Sequence, residues 1–139
     1  MVEMGLTIVI VALLTAISMP RIGTLLSHSR VNQSTAVVAS DLETAFAIAG
    51  RQRRPVRLNC VCDSVLYRVV DRAGGTVRLN RKLLGDDESG VTALTFSTTP
   101  VDIFPSGVAS SQLTVTISAG TYSRQITMTT GGQVRILPP

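Results

Sequence analysis

Residues 4–19 of this 139-residue chain contain no charged side chain, and the run is framed by Glu3 on one side and Pro20 on the other, "VEMGLTIVIVALLTAISMP". The stretch is apolar around its whole circumference, which suits lipid or a helix-packed core rather than a wetted surface. Its length lies at the lower edge of what a membrane span needs. It also resembles the apolar part of a signal peptide, but no Lys or Arg precedes it and no small-residue cleavage pattern stands before Pro20. Hydrophobic residues make up 45% of the chain and mean hydropathy is +0.34, an excess concentrated at this end. What remains has room for one modest domain with a thin core.

Pro20 removes a backbone donor and leaves the Ala16 carbonyl without its usual helical partner. A kink or a locally melted turn is therefore expected over residues 16–20, with the hydroxyls of Thr15 and Ser18 absorbing part of the loss. Helical character then resumes. Val38, Leu42, Ala45 and Ala49 form an i, i+4, i+7, i+11 stripe, with Phe46 beside it and Asp41 and Glu43 off it. Gly50 reads as the stop. The whole helix would be ~70 Å long.

After Gly50 the period changes to two. "PVRLNC", "SVLYRVVD", "TVRLNRKL", "VTALTFS", "QLTVTIS", "YSRQITMT" and "QVRILP" are short, β-branched and mostly alternating. Turn signals separate them: "RAGG", "GDDESG", "FPSG", "SAG" and "TGG". The predicted fold is α+β. A long N-terminal helix, kinked near Pro20, has an apolar half (1–19) and an amphipathic half (21–50). The latter packs against a C-terminal antiparallel β-domain (51–139) of about seven strands.

The segment "VEMGLTIVIVALLTAISMPRI", with Glu3 seventeen residues before Pro20, resembles the N-terminal signature of type IV pilins and pseudopilins. The ending "IFPSGVASSQLTVTISAGTYSRQITMTTGGQVRI" resembles the β-domain of their GspH/FimT-like branch. In that family a basic leader ending in glycine precedes a phenylalanine, and the glutamate is the fifth mature residue. Glu3 would thus have two further residues ahead of Met1. Arginines on the C-terminal side of the apolar half alone (Arg21, Arg30, Arg51, Arg53 and Arg54) would by charge bias put that side in the cytoplasm. The family places the β-domain outside, as a basic leader would.

The resemblance implies a role for Glu3. A lone carboxylate costs about 2.5–3.5 kcal/mol at the bilayer centre, less near the interface. In the family its partner is the N-terminal amine of a neighbouring subunit. A subunit docked one turn off leaves the charge unpaired, so Glu3 sets register along with neutralisation. The plain alternative is a glutamate reaching to the headgroups. In the filament that the resemblance implies, Val2, Met4, Leu6, Ile8, Val9, Leu13, Leu14 and Ile17 would be buried between helices, with Pro20 closing the apolar half.

The net charge of +4 rests on twelve Arg and one Lys, and favours polyanions or acidic neighbours without choosing between them. Only five aromatics and no Trp leave little for a base-stacking platform. In "GRQRRPVR", Arg51, Arg53, Arg54 and Arg57 set four cations at the helix-to-sheet junction. They suit either salt-dependent DNA binding or contact with Asp41, Glu43 or Asp86, Asp87 and Glu88 of a neighbouring subunit. Cys60 and Cys62 fall on one side of a predicted strand, near the upper Cα separation for a disulfide. An oxidising compartment permits that link, and a pair of small, half-buried thiols is the plainer reading. His28 reads as a solvated helix residue, and the 86–88 acids as a solvated turn lacking EF-hand spacing.

No motif for nucleotide binding, metal hydrolysis or nucleophilic attack is visible, so the chain reads as non-enzymatic, with no metal or cofactor. The resemblance implies a structural subunit of a type IV pilus-like extracellular filament. The rival is a minor pilin or pseudopilin of a type II secretion or DNA-uptake system, acting at the filament tip and binding DNA through the arginines. Implied partners are other pilin subunits, prepilin peptidase and the assembly machinery, with DNA as a further candidate. The implied location is the inner membrane before assembly, then a surface filament or periplasmic pseudopilus.

Overall fold

The structure is a computed structural model that describes residues 2–83 and 90–138, with the side chains of residues 2–4 and 16–24 outside the description. Among the described residues one helix, α1 (Val2–Gln52), precedes eight strands: β1 (Val56–Val61), β2 (Leu66–Asp71), β3 (Val77–Lys82), β4 (Ala93–Phe96), β5 (Val101–Ile103), β6 (Leu113–Ala119), β7 (Tyr122–Met128) and β8 (Val134–Ile136). They form two four-stranded antiparallel sheets, ordered β3-β2-β1-β5 and β4-β6-β7-β8. The expected α+β architecture is what forms, one strand richer than read. The added strand is β5, whose three residues are too few to show a period.

The backbone of α1 is helical through Pro20, and the kink expected there falls on residues whose side chains lie outside the description. The hydroxyl of Thr15 donates back to the carbonyls of Val11 (2.8 Å) and Ala12 (3.0 Å), so it does not serve the orphaned carbonyl of Ala16. At the other end Gly50 remains inside the helix. Arg53 instead takes the left-handed position (φ 52°), its N–H donating to the Gly50 carbonyl at 3.3 Å. The stop is therefore three residues later than the glycine suggested.

The predicted stripe is the buried one: Val38, Leu42, Ala45 and Ala49 are at most 1% exposed, joined lower down by Val31. The alanines let the sheets approach the helix closely. From the sheets, β6 contributes Leu113, Val115, Ile117 and Ala119 on its inward face, with threonines on the other. Leu94 and Phe96, Val56 and Leu58, Tyr67 and Val69, and Ile126 and Met128 alternate inward in the same way. A two-residue loop joins β6 to β7, its first residue Gly120 at φ 60°, which a tight hairpin requires. The "TGG" turn comes against α1: a Cβ on Gly132 (φ 82°) would lie 3.2 Å from both the Gly107 carbonyl oxygen and the Phe46 ring.

Cys60 lies in β1, one residue before its end, while Cys62 opens a 3-10 turn, Cys62–Ser64. The turn draws the two Cα atoms to 5.2 Å, and the sulfurs are joined. An uninterrupted strand would hold them ~6.6 Å apart. The reading of two free thiols is therefore corrected.

Candidate assembly surface

Two surfaces carry the predicted functional residues. The first is the lower half of α1. Leu6, Ile8, Val9, Val11, Leu13 and Leu14 are each 56–68% exposed, and Ile10 is 48% exposed. Leu25 and Leu26 extend the exposed apolar series upward. No described residue seals this length, whereas a monomer seldom leaves so much contiguous apolar surface in water. Thr7, Ile8, Val11 and Ala12 shape a shallow groove on it, where a small side chain between larger ones leaves room for a neighbour's. Among the described residues no helix is long and apolar enough to cross a membrane. The side chains of Val2, Glu3, Met4, Ile17 and Pro20 lie outside the description, as do those of residues 16–19 of the expected apolar half.

The second surface is the helix-to-sheet junction, where the four arginines divide. Arg51, Arg53 and Arg54 are exposed at the end of α1. Arg57, on β1, faces Asp102 on β5 in register, donating through Nε (2.7 Å) and Nη2 (3.1 Å). Arg72 approaches the same carboxylate at 3.4 Å. The Arg57 hydrogen bond holds Asp102 below the usual carboxylate range, and that bond in turn raises Arg57. The pair's contribution is thus complete above the ordinary carboxylate pKa and is lost as pH falls through the depressed one. Arg54 instead lines a small cleft with Gln52 and Arg78, where Gln52 Oε1 is buried without a partner.

Asp41 departs from its expected place. It is 6% exposed on the packed face of α1, accepting from Tyr67 Oη (2.6 Å) on β2 and from Arg81 Nε (2.9 Å) and Nη2 (3.1 Å) on β3. Burial above all, then the Asp41 hydrogen bond, raises the Tyr67 pKa, so the phenol stays a donor. A buried carboxylate with three donors is well satisfied, and it is withdrawn from any partner outside the chain. Sequence reasoning missed this tie, and missed Asp102 as the counter-ion of Arg57. His28 is not simply solvated: its ring stacks on Tyr122 at 3.8 Å between centroids. Asn32 nearby accepts from Arg124 (2.9 Å), which also donates to the Leu137 carbonyl (3.0 Å) and so ties the chain's end to α1. Asp86, Asp87 and Glu88 lie outside the described residues.

Known proteins place this geometry. The profile of the family described as Type II transport protein GspH matches residues 34–132. Among solved structures, the type IV minor pilin FimU of Pseudomonas aeruginosa superposes with a TM-score of 0.64 at 14% identity, over 82% of this chain and 92% of that one. The minor pseudopilin EpsH from the Type 2 Secretion System of Vibrio cholerae gives 0.58 at 15% identity, over 78% and 96%. At such identities the likeness establishes the fold. A comparison with curated proteins returns no match.

Proposed function

Because the chain belongs to the GspH family, type II transport proteins of pilin-like build, we propose that it is a minor structural subunit of a pilus-like filament. The observation that carries the filament role is the contrast within α1. Its upper half is sealed against two sheets, while its lower half leaves Leu6, Ile8, Val9, Leu13 and Leu14 uncovered. Burying such side chains between neighbouring helices is worth about 1.5–3 kcal/mol each before association costs are subtracted. Glu3 at the head of that helix would fix the register, pairing with an amine of the subunit below.

Charge favours the minor role. Asp41, Asp71 and Asp102 are engaged by arginines of the same chain, while Arg30, Arg51, Arg53, Arg54 and Lys82 stay exposed. A filament built only of this chain would stack +4 per subunit, and like charges repel. A subunit used sparingly among acidic ones avoids this. FimU and EpsH are a minor pilin and a minor pseudopilin respectively. The route is membrane anchorage through the apolar half, processing by prepilin peptidase and extraction by the assembly machinery. No catalytic role is assigned. Mass spectrometry of sheared filaments is the test: the chain should be a trace component, and filaments made chiefly of it would overturn the minor assignment.

A second reading has the exposed Arg51, Arg53 and Arg54 binding DNA, with Arg57 excluded by its commitment to Asp102. Replacing the three with glutamine should abolish salt-dependent DNA retention by the full chain. Unchanged retention would remove this reading.

A further inference from the structure

A cleft of about 320 Å³ opens where α1 leaves the β-domain, lined by Arg30, Gln33, Ser34 and Val37 from the helix and by Arg81, Lys82 and Leu83 from the end of β3. Ser34 is 5% exposed and turns its side chain to the cleft wall. Arg81 is held at one side by Asp41 through Nε and Nη2, which leaves Nη1 to donate elsewhere. Arg30 and Lys82 form no ion pair among the described residues. The Arg30 side chain is packed onto Gly90, where an added Cβ would come within 2.6 Å of its Cδ. Among the described residues the cleft therefore offers two cations outside any ion pair, the Ser34 hydroxyl and a wall made by Val37 and Leu83.

We propose that this cleft is the socket for an acidic side chain of an adjacent, different subunit in the filament, a proposal that rests on the filament reading above. The chemistry selects a carboxylate on an apolar stem. Charge-assisted donors from Arg30 and Lys82 would take its oxygens, and Val37 and Leu83 would cover its methylenes. A nucleic acid strand would need a longer row of cations than one closed cleft supplies. The position also fits, since the cleft sits directly above the uncovered half of α1, where packed helices bring neighbouring subunits to its mouth. The same cation surplus that disfavours a homopolymer calls for an acidic neighbour here.

Lys82 is the only lysine in the chain, which makes the test sharp. A water-soluble carbodiimide activates a carboxyl group; an amine in contact displaces the urea and leaves an amide. Applied to intact sheared filaments containing the full chain, it should join Lys82 Nζ to an Asp or Glu of another pilin-like subunit, mapped by peptide sequencing. Lys82→Arg should lose the link yet keep its place in the filament. Arg30→Glu with Lys82→Glu should lose about tenfold of the incorporated chain, because like charges then meet in the socket. Gly90→Ala, which dislodges Arg30, should lose less. Links confined to the chain's own carboxylates, an absence of links in filaments that contain the chain, or full incorporation of the double glutamate variant would overturn the proposal while leaving the subunit role intact. A wild-type chain missing from filaments would overturn the subunit role itself.

Discussion

Both halves of α1 carry apolar side chains, and these have opposite fates. Above residue 30 its apolar face disappears under two sheets, and even the acid on that face, Asp41, finds three donors inside the chain. Below residue 15 the described large apolar side chains are left 48–68% exposed. The upper half shows what a closed solution looks like here: every buried carboxylate among the described residues is matched. The lower half is the open part of the design. Its burial has to come from outside, which is why function is read there and stability is read above.

Asp41→Ala should break the comparison most severely. It leaves the buried Tyr67 phenol without its acceptor and the half-exposed Arg81 without its partner, at a cost of about 2–3 kcal/mol, measured by denaturant unfolding of the full chain in detergent. Gly132→Ala should cost about 2 kcal/mol, since an L-residue at φ 82° is strained and its Cβ presses on Phe46 and the Gly107 carbonyl. Gly50→Ala should act in the other direction. Gly50 lies within α1 with open space around a new Cβ, so the change should stabilise by about 0.5–1 kcal/mol, read as a higher Tm. Leu14→Ala sharpens the contrast: stability of the β-domain should move by less than about 0.5 kcal/mol, while recovery of the chain in filaments falls. If unfolding is affected as strongly as incorporation, the lower half is not an independent assembly surface.

Much of this was legible because it is local. The stripe from Val38 to Ala49 and the alternation of β6 each lie within one element, and the pilin resemblance rests on a continuous run. What stayed hidden depends on contacts distant in sequence. Asp41 stands three residues after Val38, about 60° around the helix, and so inside the buried wedge. The sequence pattern sets it off the stripe, and the partners that make an acid tolerable on that face lie 26 and 40 residues downstream. Arg57 was grouped with its neighbours in the sequence because its counter-ion is 45 residues away on a strand too short to read. The glycine at position 50 was a fair but wrong signal, displaced by an arginine that accepts the left-handed turn. For the cysteines the strand assignment was one residue too generous, and the turn that follows Val61 decided the bond.

The bond set around Asp41 also has a mechanical meaning. α1 is a continuous rod of 51 residues, and a filament pulled along its length would draw on that rod end to end. Asp41 grips Tyr67 and Arg81 from the side of the rod, so an axial pull meets these bonds in shear, several at once, instead of peeling them one by one. The Arg124 bridge from Asn32 to the Leu137 carbonyl adds a second grip lower on the same rod. Traction on the helix would thus reach the β-domain through cross-pins at two heights, and the domain would travel with its rod under load.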